Sequence, residues 1–422
     1  MSRNALPQIH IRPEQGWLND PNGMVRHGGR WHVFFQHNPA RPVHEHIAWG
    51  HTSSPDLVRW DNHPVAFFPT PVGPDRAGCW SGVYLPWLDR PAMAYSGVVD
   101  DTLTSTVCIR EALDDSLDVW SDPYVAAETP PEVTQMRDPF CFEWRGRQFA
   151  LLGARIGEAT PAVLLYSCDD PRRWTYEGVW LNGDAPVARE LTPADIWECP
   201  QLVEVDGQWT LLLSLQQDGR LSSVEYLIGT ILDRDGLPQL APTAHGPVDA
   251  GPDCYAPQLA LDDDGPWLLG WILQDSQPNA PVTSVSGCMT LPRRLALVGD
   301  RLVSVTDPRI ADYADTFPAV RRSATGGLPL PNCGRTSGQA TSITLTGQGV
   351  IHEIPCPTGE FEVWSDGEVV EVYRRDDSPY TLRQPGTELW TLTASAEVTV
   401  VAVEPPSHVR PGAPRAVAVG GH

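Results

Sequence analysis

Short apolar runs, each introduced by a polar turn, recur along the first three quarters of the chain. Arg26-His27-Gly28-Gly29-Arg30-Trp31 leads into Val33-Phe34-Phe35, and Leu88-Asp89-Arg90-Pro91 into Ala92-Met93-Ala94-Tyr95. Trp144-Arg145-Gly146-Arg147 leads into Phe149-Ala150-Leu151-Leu152, and Val205-Asp206-Gly207-Gln208 into Trp209-Thr210-Leu211-Leu212-Leu213. A fifth copy runs from Asp262-Asp263-Asp264-Gly265 into Trp267-Leu268-Leu269-Gly270-Trp271. With Gly29, Arg90, Gly146, Gly207 and Gly265 as markers, the spacings are 61, 56, 61 and 58 residues. Near-even spacing of that length predicts radial repetition, with one four-stranded blade per repeat. The expected fold is all-β: a five-bladed β-propeller over residues 1–310. An irregular β-sandwich is the competing architecture.

Beyond the fifth copy the texture changes to strict alternation, in Ser342-Ile343-Thr344-Leu345-Thr346, Phe361-Glu362-Val363-Trp364 and Val369-Val370-Glu371-Val372-Tyr373. The last two are joined by a turn containing Asp366-Gly367, a hairpin signal. Trp390-Thr391-Leu392-Thr393 and Val398–Val403 add strands, so residues 311–403 are expected to form a small β-sandwich. Residues 404–422, rich in Pro, Gly and Ala, are expected to be disordered.

Composition narrows the function. The chain has 422 residues and a formal net charge of -23, which disfavours nucleic acid and anionic membranes as partners because both are polyanions. All 30 basic residues are arginine, so any strong cation here is Arg, His or the amino terminus. Nine cysteines without a CxxC pair or zinc spacing read as reduced thiols. No run reaches the roughly 20 apolar residues of a membrane span. The first residues lack the apolar core of a signal peptide, so a cytoplasmic protein is expected. His44, His46 and His51 read as satisfied or solvated side chains, and neither metal nor organic cofactor is expected.

Three carboxylates lie eight or nine residues before a marker turn or its neighbour: Asp20 in Asn19-Asp20-Pro21, Asp138 in Arg137-Asp138-Pro139, and Glu198 in Glu198-Cys199-Pro200. Counting back in the other two repeats gives Ser81, and Ala256 beside Tyr255. Matching positions in radial repeats converge on one axis, so these residues should line one pocket. Each acid alone has a plainer reading, as an Asx turn, a surface carboxylate or an ion pair. Their shared repeat position favours catalysis. Paired carboxylates serve glycoside cleavage, one protonating the leaving oxygen while another attacks or activates water. Apolar Trp197, Cys199 and Pro200 around Glu198 should raise its pKa. The polar setting of Asp20, and Arg137 beside Asp138, should keep those two charged.

Several ordered blocks now carry a resemblance. Trp17-Leu18-Asn19-Asp20-Pro21-Asn22-Gly23, Phe34-Phe35-Gln36-His37-Asn38-Pro39, Trp49-Gly50-His51, Trp80-Ser81-Gly82, Arg137-Asp138-Pro139, Glu198-Cys199-Pro200 and Gly251–Gln258 are similar to the signature of glycoside hydrolase family 32, the invertases and fructan hydrolases. It covers roughly residues 10–300. The resemblance implies a propeller followed by a β-sandwich and a retaining mechanism on β-D-fructofuranosides. It implies Asp20 as nucleophile, Glu198 as acid/base, and Asp138 with Arg137 holding fructose hydroxyls. Asn19, Gln36, Trp49, Ser81 and Cys199 map to substrate-binding positions, with Trp80 and Trp271 as pocket walls and Tyr255 as the fifth repeat's contribution. The expected partner is a small carbohydrate such as sucrose or a short fructo-oligosaccharide. A phosphorylated disaccharide, a fructosyltransferase and a non-catalytic fructan-binding protein are the alternatives. Val83 and the loop Arg41–Ala48 depart from the family's pattern, which bears on substrate choice.

Overall fold

The computed structural model describes residues 6–100, 105–191, 193–387 and 389–406; most of the tail expected to be disordered, 407–422, lies outside the described residues. Within them the chain is all-β, with one α-helix, Pro308–Asp315, and a 3-10 turn at Ala188–Glu190. Each turn-plus-strand repeat is the inner hairpin of an antiparallel sheet. The hairpins start at Gly16–His27, Gly78–Leu85, Val133–Trp144, Ile196–Val205 and Cys254–Asp262, and two further strands follow each in sequence order. Four of the five hairpins have two-residue loops, as in His27↔Arg30 and Trp144↔Arg147. In Gly28-Gly29, Arg145-Gly146 and Asp206-Gly207 both loop residues have positive φ, the mirror-image turn whose twist suits antiparallel strands.

The five first strands adjoin one another in chain order, and the fifth returns to the first. Val285–Ser286 then pairs in parallel with Gly16 and Trp17 of the first strand. Each first strand is irregular in register at one level. The breaks fall between Asn19 and Pro21, Cys79 and Gly82, Arg137 and Phe140, Glu198 and Gln201, and Tyr255 and Gln258. Such bulges bend the strand and re-aim its side chains. At three of them the first extra residue is left-handed: Asp138 (φ 60), Cys199 (φ 47) and Ala256 (φ 44). Pro139, Pro200 and Pro257 follow them.

After Thr306 the chain enters two more sheets. Six strands order as Ala319–Ser323, Glu397–Ala402, Cys333–Gln339, Glu360–Asp366, Val369–Arg374, Tyr380–Arg383, and four as Leu328–Pro329, Thr391–Thr393, Ser342–Gly347, Val350–Pro355. Ile343, Leu345 and Leu392 of the smaller sheet share one core with Phe361, Val363 and Val372 of the larger. Buried charges join this unit to the preceding sheets. Arg293 donates to Asp249 (2.7 Å), Thr381 (2.6 Å) and Glu371. His10 bridges Asp366 (2.8 Å) and Glu371 (2.9 Å) with no side-chain exposure on any of the three. Among the described residues no helix is long and apolar enough to cross a membrane.

Candidate active site

The bulges turn Asn19, Asp20, Arg137, Asp138, Glu198, Cys199 and Tyr255 into one cavity of about 330 Å³ at the centre of the five sheets. Trp17, Trp80 and Trp271 wall it. Backbone register corrects the expected repeat equivalence by one residue. Cys199, left-handed and followed by Pro200, is the counterpart of Asp138 and Ala256, whereas Glu198 corresponds to Arg137 and Tyr255. The acids converge because side chains on both sides of the bulge reach the same cavity.

Serines on neighbouring second strands fix the bulges. The amide of Asp138 donates to Ser96 Oγ at 2.7 Å, and that of Ala256 to Ser214 Oγ at 3.1 Å. The Cys199 amide donates instead to Asp138 Oδ2 at 3.1 Å, tying one acid to the next strand's bend. Asp20 Oδ2 accepts from Ser81 Oγ at 2.6 Å and from Gln36 Nε2 at 3.1 Å. The Cys199 thiol lies 3.8 Å from Asp20 Oδ2 and 3.6 Å from Asp138 Oδ2. Burial and the surrounding carboxylates keep that thiol protonated, so it is a weak donor to both. Glu198 accepts from Arg137 Nη1 (3.1 Å), the Tyr255 phenol (2.7 Å) and Gln216 Nε2 (3.3 Å). The Arg137 guanidinium sits 5.5 Å over the Trp80 ring, a cation–π contact that holds both.

Electrostatics differ from the sequence expectation that Asp20 and Asp138 stay fully charged. Burial, reinforced by the Glu198 charge, pushes Asp138 up to about 8 against the pull of Arg137. Burial likewise lifts Asp20 to about 6, the Ser81 and Asn19 hydrogen bonds opposing and Glu198 adding to it. Three buried carboxylates face one another with Arg137 the cation beside Glu198 and Asp138, so the group retains a proton near neutrality. Local neighbours in sequence do not reveal this, because the dominant charges come from other sheets.

Two expected positions lie elsewhere. Trp49 is fully buried, stacked on Phe67, with Nε1 donating to the Trp80 carbonyl at 3.1 Å. It props the cavity wall from behind and does not line it. Ser81 likewise sits behind Asp20 as its hydrogen-bond partner. Conversely, His44, Gln216, Leu221, Gln274, Asp275 and Ser276 line the cavity without having been singled out from the sequence as site residues. His44 belongs to the divergent loop Arg41–Ala48; its Nε2 lies 3.1 Å from Gln36 Oε1 and its ring is edge-on to Trp17 and Trp80. The loop's departure from the resembled pattern was the available signal.

Residues 10–306 match the family model described as the glycosyl hydrolases family 32 N-terminal domain. A sucrose-6-phosphate hydrolase of Zymomonas mobilis is 30% identical over 322 residues, covering 72% of this chain and 62% of the relative. The chain thus spans less than two thirds of that relative's length. A sucrose-6-phosphate hydrolase of Bacillus subtilis is 29% identical over 348 residues, covering 78% of this chain and 71% of the relative. A solved GH32 β-fructofuranosidase of Bombyx mori superposes with a TM-score of 0.80 at 22% identity, with 96% of each chain covered, a likeness of fold.

Proposed function

The chain belongs to glycosyl hydrolase family 32, and from that premise we propose that it is a retaining β-fructofuranosidase acting on sucrose or short fructo-oligosaccharides. The observation that carries the reading is the convergence of Asp20, Asp138 and Glu198 in one cavity with complementary partners. We read the five sheets as the five blades of a catalytic propeller over residues 1–310 and the two later sheets as a sandwich over 311–403.

Asp20 attacks the anomeric carbon of the fructosyl unit while the bond to the leaving oxygen breaks. Glu198 gives its proton to that oxygen. In the second half Glu198 takes a proton from water, the water oxygen bonds to the anomeric carbon, and the carbon–Asp20 bond breaks. Ser81 and Gln36 hold the nucleophile by one oxygen, and Tyr255, Arg137 and Gln216 orient the acid/base. Asp138, close to protonation, both donates to and accepts from fructose hydroxyls, and Asn19, Cys199, Trp80 and Trp271 complete the sugar's surroundings.

Both relatives named above are called sucrose-6-phosphate hydrolases. Among the described residues lining this cavity, Arg137 is the sole guanidinium and Glu198 already engages it, while Asp275 sits on the same lining. That favours an unphosphorylated substrate, since a phosphate calls for free, fork-shaped donors. Turnover of sucrose, sucrose phosphate, kestose and inulin by wild type, Asp20→Asn and Glu198→Gln tests the proposal. Sucrose or kestose should be preferred, and each variant should lose at least about 1000-fold in kcat. Wild-type turnover in both variants would refute the catalytic roles, and preference for sucrose phosphate would refute the substrate reading.

A further inference from the structure

Outside the acid cavity, a single carboxylate oxygen gathers two imidazoles. His51 lies in Ala48–Ser54, His63 just after the short strand Asp61–Asn62, and Asp118 in the excursion that follows Ser105–Glu111 of the second sheet. Asp118 Oδ1 is 3.1 Å from His51 Nδ1 and 2.9 Å from His63 Nδ1. The rings lie face to face, with centroids 4.0 Å apart and planes at 27°, so both Nδ1 atoms address the same oxygen. One donor atom from each residue falls within 4.8 Å of the other two.

We propose that His51, His63 and Asp118 bind a divalent transition-metal ion, with zinc the best match. Tetrahedral zinc ligands with bonds of roughly 2.0–2.2 Å lie about 3.3–3.6 Å from each other, so the two nitrogen–oxygen distances need only open by a few tenths of an ångström to about that spacing to admit the ion. Two imidazoles and a carboxylate are borderline ligands suited to zinc, and a water completes four-coordination from the solvent side. Asp118 keeps 27% of its side chain exposed, which supplies that side.

Proton bookkeeping supports the assignment. The ionised Asp118 only accepts, so without metal each Nδ1 carries the hydrogen. A metal needs both Nδ1 lone pairs, so each imidazole must move its hydrogen to Nε2 and find an acceptor there. Both acceptors are present: His32 Nδ1 lies 2.9 Å from His51 Nε2, and Ser53 Oγ lies 2.8 Å from His63 Nε2. Ser53 Oγ also accepts from Arg30 Nε at 2.9 Å, which fixes it in place. Outer partners of this kind orient metal-binding histidines. The carboxylate is equally well anchored, because Asp114 Oδ1 accepts from the amides of Asp118 (3.1 Å) and Val119 (2.9 Å). Entry of the ion needs only a splay of the two rings. A bound ion would tie the first sheet to the second outside the acid cavity.

The test uses the untagged full chain, stripped with a chelator and titrated with zinc chloride by calorimetry and with cobalt(II) by visible absorption. One equivalent should bind, raise the unfolding temperature and give a four-coordinate cobalt spectrum. Asp118→Asn and His63→Gln should each weaken binding at least tenfold, with circular dichroism and sucrose turnover of the metal-free protein unchanged. Absence of zinc binding by the wild type would overturn the site. So would binding by both variants as tight as that of the wild type. If one variant unfolds, the other, close to isosteric with the residue it replaces, decides the matter alone.

Discussion

The phenol of Tyr255, from the fifth sheet, donates to Glu198 Oε2 at 2.7 Å across the junction with the fourth. Burial and the Glu198 charge hold the phenol well above its ordinary pKa, so it remains a donor at every pH of interest. Removing it takes a hydrogen bond from the ionised form of Glu198 and frees the carboxyl to rotate. Tyr255→Phe is expected to lower kcat about 10- to 100-fold. Steady-state kinetics check this; an unchanged kcat would detach Tyr255 from the acid/base.

The pH profile itself follows from the shared proton. Asp20 must be ionised to attack, and with its pKa raised to about 6 the rate should fall as pH drops through about 6. Asp138, lifted to about 8, can donate to a fructose hydroxyl only while it is protonated, so kcat/KM should fall again as pH rises through about 8. A bell-shaped kcat/KM with limbs near these values is expected. A flat profile from pH 5 to 9 would contradict the coupling.

His44 lines the cavity beside Gln36 and the edges of Trp17 and Trp80. It should contact the leaving group more than the fructosyl unit. His44→Ala is expected to raise KM for sucrose about 5- to 30-fold, a loss of roughly 1–2 kcal/mol. The second, deglycosylation half-reaction should be unaffected, which single-turnover measurements separate from the first.

Glu371 accepts from Arg293, His10 and the Leu291 amide with no exposed side-chain surface. Glu371→Gln removes the carboxylate charge between two buried cations, leaving Arg293 only Asp249 and His10 only Asp366 as charged partners, and should cost about 3–5 kcal/mol. His10 adds a pH dependence of definite sign. Burial alone would lower its pKa, but Asp366 and Glu371 outweigh it and raise the value to about 9. Its stabilisation is therefore complete below the unfolded value of about 6.5 and fades as pH climbs through about 9. Thermal unfolding from pH 6 to 10 should show this loss, and His10→Gln should flatten it.

Much of the fold was legible because turns and spacing are local. Gly-containing hairpin loops such as Arg145-Gly146 need positive φ, and glycine advertises that need. The acids were legible too, through Asp-Pro and Cys-Pro placed at one level of the repeat. The one-residue offset between Glu198 and Cys199 was missed because the count back from the turn varies between eight and nine residues, although Pro139, Pro200 and Pro257 mark the bulge in each strand. The protonation of Asp138 was hidden for another reason: its main charged neighbour, Glu198, is 60 residues away in sequence. Trp49 shows the converse error. Its motif is local, but whether an indole faces a cavity or backs a wall is settled by packing from Phe67 and Trp80.

The parallel pairing of Val285–Ser286 with Gly16 and Trp17 has a consequence for biosynthesis. The ribosome releases the first strand almost 270 residues before the segment that pairs with its free edge. Until then Gly16 and Trp17 expose unpaired backbone amides and carbonyls, the kind of edge on which nascent chains associate. Trp17 also precedes Asn19 and Asp20 by only two or three residues, so the nucleophile is expected to reach its final position among the last events of folding. Nascent chains arrested with residue 280 or residue 300 outside the exit tunnel should differ sharply in protease resistance around Trp17; equal resistance would show that the ring does not wait for its closing strand.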